Sequence, residues 1–214
     1  MDQHQHRFLR LALDQGALRF GEFTLKSGRS SPYFFNAGAF DSGSALAALG
    51  DCYADAIEAA GLEFDMLFGP AYKGIPLATT VAMSLARRGR DVPLAFNRKE
   101  AKQHGEGGRL IGAPLKGRIL IVDDVITAGT AIRESLALIA DADASVAGVL
   151  VALDRQERGQ GELSAVQELS QNAGVDVIAV ANLDDLLAFS QGDADSVQHH
   201  QRLLAYRDAY GCAR

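Results

Sequence analysis

Residues 118–131, Arg-Ile-Leu-Ile-Val-Asp-Asp-Val-Ile-Thr-Ala-Gly-Thr-Ala, restrict the fold more than any other stretch of the chain. The apolar run Ile119 to Val122 is too short for a helix and is bracketed by Gly117 and an acidic pair. Such a run reads as a strand buried on both faces, as in a parallel sheet. Asp123 and Asp124 end it, small residues from Thr127 to Thr130 make a turn, and a helix begins with Ile132, Leu136 and Ile139 on one face. Strand, polar loop and helix N-terminus bring together free backbone N–H groups and the positive end of a helix dipole, which suits an anion. In open α/β sheets this crevice lies at the carboxyl ends of the strands. Two carboxylates repel a bare phosphate. The pair therefore implies a ligand that also carries hydroxyls, a metal ion or a developing positive charge, and a sugar phosphate with Mg²⁺ meets all three conditions. The plainer use of the pair, one Asp capping the helix and the other in water, leaves its coincidence with the Thr/Gly loop unexplained.

A second unit of the same grammar covers 65–88. The short apolar strand Met66 to Phe68 runs into Gly69-Pro-Ala-Tyr-Lys-Gly-Ile-Pro76, then a helix over about 74–88. Lys73 alone reads as a solvated loop lysine. Beside a first cradle it becomes part of a second anion site, which suits a ligand with phosphate at one end and pyrophosphate at the other. A third strand, Val92 to Phe96, leads into 97–114, where Arg98, Lys99, Lys102 and His104 cluster among Gly105, Gly107, Gly108 and Gly112. The stretch reads as a long mobile catalytic loop, a basic lid over the pyrophosphate, rather than a merely solvated loop. Its charge opposes the net −6 of the chain, a balance that argues against nucleic acid or an acidic membrane surface as partner.

The remaining pattern alternates strand and helix. Residues 3–15 read as a helix, and 17–40 as a hairpin around Ser27-Gly28 with Phe34 and Phe35 at its far end. Adjacent strand residues face opposite ways. Either both Phe rings are core, or one enters the core and the other meets a planar ligand. Lys26, near the turn, reads as a solvated charge when taken alone. A helix at 43–60, a strand at 145–153 ending in Asp154-Arg155, a helix at 162–173, a strand at 175–180 and helices at 182–189 and 193–210 complete the count. Arg155 is either a bidentate ligand for a carboxylate or half of a surface pair with Asp. His199 and His200 read as surface residues. The expected architecture is one α/β domain over 1–214, with a mostly parallel central sheet of about five strands flanked by helices. No apolar run approaches the ~20 residues that span a bilayer. The polar N-terminus is unlike a signal peptide. Cys52 and Cys212, without metal spacing, read as reduced thiols, and the expected location is the cytoplasm.

Ile-Leu-Ile-Val-Asp-Asp-Val-Ile-Thr-Ala-Gly-Thr resembles the phosphoribosyl pyrophosphate signature of the type I phosphoribosyltransferases. Lys26 before Phe34-Phe35, the 69–76 motif, Arg98-Lys-Glu-Ala-Lys-Gln-His-Gly-Glu-Gly-Gly108 and Leu153-Asp-Arg-Gln-Glu-Arg-Gly159 extend the resemblance, over roughly residues 17–160, to the orotate phosphoribosyltransferases. The resemblance implies the type I fold, with a hood built from 1–40 and C-terminal segments. It also implies transfer of ribose 5-phosphate to orotate with Mg²⁺, and a homodimer whose lid reaches the neighbour's active site. It assigns phosphoribosyl pyrophosphate binding to Lys26, Tyr72, Lys73, Arg98, Lys99, Lys102, His104, Asp123, Asp124, Val125, Ile126, Thr127, Ala128, Gly129, Thr130 and Ala131. The orotate pocket would comprise Phe34, Phe35, Thr127 and Arg155, and the catalytic groups Lys73, Lys102, His104, Asp123 and Asp124. Mg²⁺ would rest mainly on substrate oxygens, with Asp123 or Asp124 reaching it through water. A purine-type transferase would share the phosphate loop without needing Arg155 or the Phe pair. A regulator that only senses the donor would not need an intact lid.

Overall fold

The computed structural model describes residues 1–25, 27–102, 108–127, 129–159, 161–193 and 196–212, without the side chains of 101, 102 and 108. The chain runs α1 (Gln3–Asp14), β1 (Leu18–Thr24), β2 (Ser30–Phe35), α2 (Gly43–Ala60), β3 (Met66–Gly69), α3 (Gly74–Arg87), β4 (Leu94–Lys102) and β5 (Gly108–Gly112). It continues with β6 (Arg118–Asp123), α4 (Thr130–Ala140), β7 (Ser145–Asp154), α5 (Ala165–Ala173), β8 (Val177–Asn182), α6 (Leu183–Gly192) and α7 (His200–Tyr210). Strands β5-β4-β3-β6-β7-β8 form one sheet, parallel except for β5 at the edge. The expected mostly parallel sheet is present, with the antiparallel edge strand added.

The continuous apolar runs are explained by cover on both faces. Leu67, Leu120, Val122 and Leu150 point into a core shared with α1, α2, α3 and α6. Their neighbours Met66, Phe68, Ile119, Ile121 and Val149 point the other way, against Ile132 and Ile139 of α4 and Leu169 of α5. A period of two with both faces apolar leaves no polar alternation to see in the sequence.

Residues 97–114 are not the long loop that their glycines and charges suggest. β4 continues to Lys102 and pairs antiparallel with β5, Phe96 opposite Ile111 and Asn97 opposite Leu110. Residues 103–107 lie outside the described residues. Gly112 is needed for packing: at φ +99 it lies against the Leu94 carbonyl, where a Cβ would collide. A glycine demanded by close approach is indistinguishable in sequence from one that loosens a loop.

β1 and β2 form a separate antiparallel hairpin with Arg19 opposite Phe34 and Leu18 opposite Phe35. It packs against α7, with Phe20 stacked on His199 at 4.7 Å and Tyr33 edge-on to Tyr206 at 6.1 Å. His200 Nδ1 is 2.9 Å from Ser190 Oγ. His199 and His200 are thus half-buried packing residues rather than surface ones. The C-terminal helix begins with a 3₁₀ turn at Val197–His199.

Candidate active site

Strand register builds the site. Parallel pairing sets Phe68 opposite Ile121 and Gly69 opposite Phe96. The chain therefore leaves β3 and β6 at one level while β4 runs on beside them, and the loops that follow β3 and β6 emerge side by side. Gly69 and Gly74 pack backbone to backbone across the first loop, and a Cβ on Gly74 would lie 2.8 Å from the Val122 carbonyl of β6. Only with two glycines can the loop fold back this tightly onto the neighbouring strand. On its far side the Ala71 N–H donates to Asn97 Oδ1 at 2.8 Å, tying it to β4. The Ala71–Tyr72 peptide is cis.

This closure carries Lys73 to Asp124, Nζ to Oδ2 at 2.6 Å. The Lys73 side chain is half exposed at 54%, whereas that of Asp124 is 10% exposed. Asp124 N–H donates to Asp123 Oδ1, and Val125 N–H to Asp124 Oδ1, each at 2.9 Å. The Asp124 carbonyl accepts from Ala152 of β7 at 2.8 Å, and the Asp123 carbonyl from the Tyr53 hydroxyl at 2.9 Å. The main chain of the acid pair is therefore anchored to α2 and β7. Burial pushes the Asp123 carboxyl up to about 7, helped by the adjacent Asp124 charge and opposed by the Asp124 N–H and Lys73. Asp123 therefore changes charge near neutral pH and favours a ligand that brings hydroxyl donors or positive charge.

Gly129 caps α4 in the left-handed region at φ +66, with no side-chain cap on the helix. Lys73 caps α3 likewise without a side-chain bond. Two helix N-termini without a side-chain cap thus border the acid pair. Val125, Ile126 and Ala131 are half-buried and Thr127 and Thr130 exposed along the first of these loops. On β4, Lys99 Nζ lies over the exposed Tyr72 ring at 4.9 Å from its centroid. Arg98, one residue back on β4, is half-buried. Lys26, His104, Ala128 and the Lys102 side chain lie outside the described residues.

The hairpin residues separate. Phe35 is buried, with Phe8 6.0 Å away. The Phe34 ring lies on the other face, beside Phe23 at 5.5 Å and under Arg19 at 5.5 Å. Arg155 lies over Tyr33 and bonds Ser31, on the Phe35 face. Phe34 and Arg155 therefore do not line one wall. The ion partner of Arg155 is Glu157, not an Asp. Sequence reading passed over Asn97, Tyr53, Ser31, Tyr33 and Glu157. Glu157 lay inside a quoted motif, and the others show in sequence only as a polar residue or aromatic at a strand end or in a helix.

A phosphoribosyl transferase domain model matches residues 40–181, which contain the sheet and both cradles. The chain is 69% identical to the orotate phosphoribosyltransferase of Xanthomonas axonopodis pv. citri (strain 306), over 99% of this chain and 98% of that protein. It is 64% identical to the orotate phosphoribosyltransferase of Stenotrophomonas maltophilia (strain K279a), over the same shares. A crystal structure of orotate phosphoribosyltransferase from Francisella tularensis superposes with a TM-score of 0.86 at 42% identity, covering 95% of this chain and 98% of that one.

Proposed function

Because the chain belongs to the orotate phosphoribosyltransferases, within the phosphoribosyl transferase domain family, we propose that it transfers ribose 5-phosphate from phosphoribosyl pyrophosphate to N1 of orotate. The products are orotidine 5′-monophosphate and pyrophosphate, in pyrimidine biosynthesis. The observation that carries the reading is the Lys73–Asp124 contact at 2.6 Å, which joins two anion cradles through an acidic pair.

Breaking the anomeric C–O bond leaves an oxocarbenium-like ribosyl centre and a departing pyrophosphate. Catalysis then means stabilising two separating charges with groups already in place. In this reading loop 125–131 receives the 5-phosphate through backbone N–H groups, and Gly129 lets the backbone approach closely. Asp123 and Asp124 accept from the ribose hydroxyls and favour the cationic centre. Lys73 takes leaving-group charge with Tyr72, Arg98, Lys99 and Lys26, and Lys102 or His104 supplies a proton to pyrophosphate. Arg155 and Thr127 hold the acceptor. Phe34 and Phe35 contribute through main chain, since one ring is half-buried under Arg19 and the other buried, and among the described residues β2 pairs with β1 alone.

Two carboxylates fit Mg²⁺ held mainly by substrate oxygens and water, and among the described residues no cluster of three or more His, Cys, Asp or Glu forms a complete protein cage. When bound, the ion would neutralise pyrophosphate charge. Orotate's ultraviolet absorbance is expected to fall only when phosphoribosyl pyrophosphate and Mg²⁺ are both present, and to stop falling on chelation. Turnover of adenine or hypoxanthine with orotate untouched would sink the assignment.

The same reading makes the protein a cytoplasmic homodimer with the 97–114 ribbon reaching the neighbour's site. Free Cys52 and Cys212 accord with a reducing compartment, and among the described residues no helix is long and apolar enough to cross a membrane. Sedimentation should give twice the 22.8 kDa chain mass; a monomer at micromolar concentration would contradict it.

A further inference from the structure

Arg155 stands at the centre of a half-buried polar cluster that the reaction above uses at one point only. Its guanidinium lies over the Tyr33 ring, 4.1 Å from the centroid. Nε and Nη2 each lie 2.7 Å from Glu157 Oε1, and Nη2 also donates to Ser31 Oγ at 3.0 Å. Tyr33 donates its hydroxyl to the same Glu157 oxygen at 3.4 Å. Tyr206 of α7 stands edge-on to Tyr33. Its buried hydroxyl makes no hydrogen bond within geometric limits among the described residues; burial and the Glu157 charge raise its pKa, against the opposing pull of Arg155 and Ser31.

Glu157 is itself set by the C-terminal segment. It forms an antiparallel bridge with Gly211, and the flanking residues are tied in the same way: Arg158 N–H to the Tyr210 carbonyl and Cys212 N–H to the Gln156 carbonyl, each at 2.9 Å. Gln156 takes a positive φ of 49° between them. This turn lets residues 155 and 157 face each other over one intervening residue.

An arginine free in water samples many rotamers and loses that freedom on binding. Here ring, hydroxyl and carboxylate fix it in the folded protein. They occupy the Nε/Nη2 edge, and Nη1 has no hydrogen bond among the described residues. We propose that Glu157 is a positioning residue: it holds Arg155 by its inner edge so that the Nη1 end is presented to the carboxylate of the acceptor base. This rests on the reading of Arg155 as the carboxylate-binding group. Glu157 lowers no barrier directly. It raises affinity for the acceptor and leaves the bond-breaking step alone.

Steady-state kinetics on the full chain separate the possibilities. Glu157→Gln keeps an oxygen that can accept from Arg155 but removes the charge. The KM for orotate is expected to rise about tenfold, with kcat and the KM for phosphoribosyl pyrophosphate within twofold of wild type. Glu157→Asp should recover part of the loss and keeps the test alive if the amide variant folds poorly. Arg155→Lys is the control on the underlying reading. If it leaves the orotate KM unchanged, the acceptor is not bound at Arg155, and both statements fall. If it raises that KM while Glu157→Gln does not, only the positioning role falls. A lower orotate KM in Glu157→Gln would make Glu157 a competitor of the substrate and overturn the proposal. Parallel losses in kcat, both KM values and Tm would reduce Glu157 to a structural residue and also overturn it.

Discussion

Lys73→Met is expected to lower kcat/KM for phosphoribosyl pyrophosphate by about 100- to 1,000-fold, the usual effect of deleting one preorganised charge-stabilising donor. Methionine keeps the length and apolar stem of the side chain, so the loop held by Gly69, Gly74 and Asn97 should survive. What disappears is the cation 2.6 Å from Asp124. Two things follow from its loss. Pyrophosphate departs without a neutralising partner, and two nearly buried carboxylates face each other without relief. Because the lysine is half exposed, solvent screens the pair, and the loss of stability should be only about 1 kcal/mol. A large fall in kcat/KM with a small fall in Tm is therefore the signature. A variant with kcat/KM within about threefold of wild type would remove Lys73 from the chemistry.

Asp123→Asn is expected to make the protein more stable and less active at the same time. Burial and the neighbouring charge raise the Asp123 carboxyl to about 7 in the fold, above its ordinary value of 3.8. A raised folded-state value means that folding favours the protonated acid. Its contribution is fully present below about pH 4 and is lost as pH rises through about 7. At pH 8 the ionised side chain then costs on the order of 4 kcal/mol relative to a neutral one. Asparagine is neutral throughout, and its oxygen can still accept from the Asp124 N–H. Thermal denaturation should show the variant several degrees more stable than wild type at pH 8, with most of that difference gone at pH 4.5 and nearly all of it below pH 4. In activity the order reverses. Wild-type kcat/KM should climb with pH through a pKa near 7 as the carboxylate forms, and the variant should be low and flat across that range. A stability difference independent of pH would show that Asp123 is not the buried acid described here. Function and stability oppose each other at this residue because a charge useful to a cationic transition state is kept in a dry place.

Both effects depend on parts that differ in how far they can be read from the chain. The strands β3 and β6 are legible because continuous short apolar runs have few alternatives, and Asp123-Asp124 is legible because it interrupts such a run. The ribbon at 94–112 is not. Its charges and glycines suit a loop and an exposed edge strand equally, and only the backbone contact of Gly112 with Leu94 decides between them. Phe34 and Phe35 are legible as a pair on opposite faces. Which of them is buried depends on α1, whose Phe8 covers one face of the hairpin.

By itself the sequence determined the chemistry available at each strand end: two cradles at helix N-termini, an acid pair, a basic segment and an arginine. These are local matters of residue type and spacing within a dozen positions. Only the tertiary structure decided which of them meet. Lys73 reaches Asp124, 51 positions further along the chain, because β3 and β6 are neighbours in register. Arg155 turns from Asp154 to Glu157 because Gln156 adopts a left-handed turn and the C-terminal segment bridges to Glu157. The physical reason is the same in both cases. Strand order and backbone handedness are set by how the whole core closes, and a pair that depends on them leaves no mark in the spacing of its members.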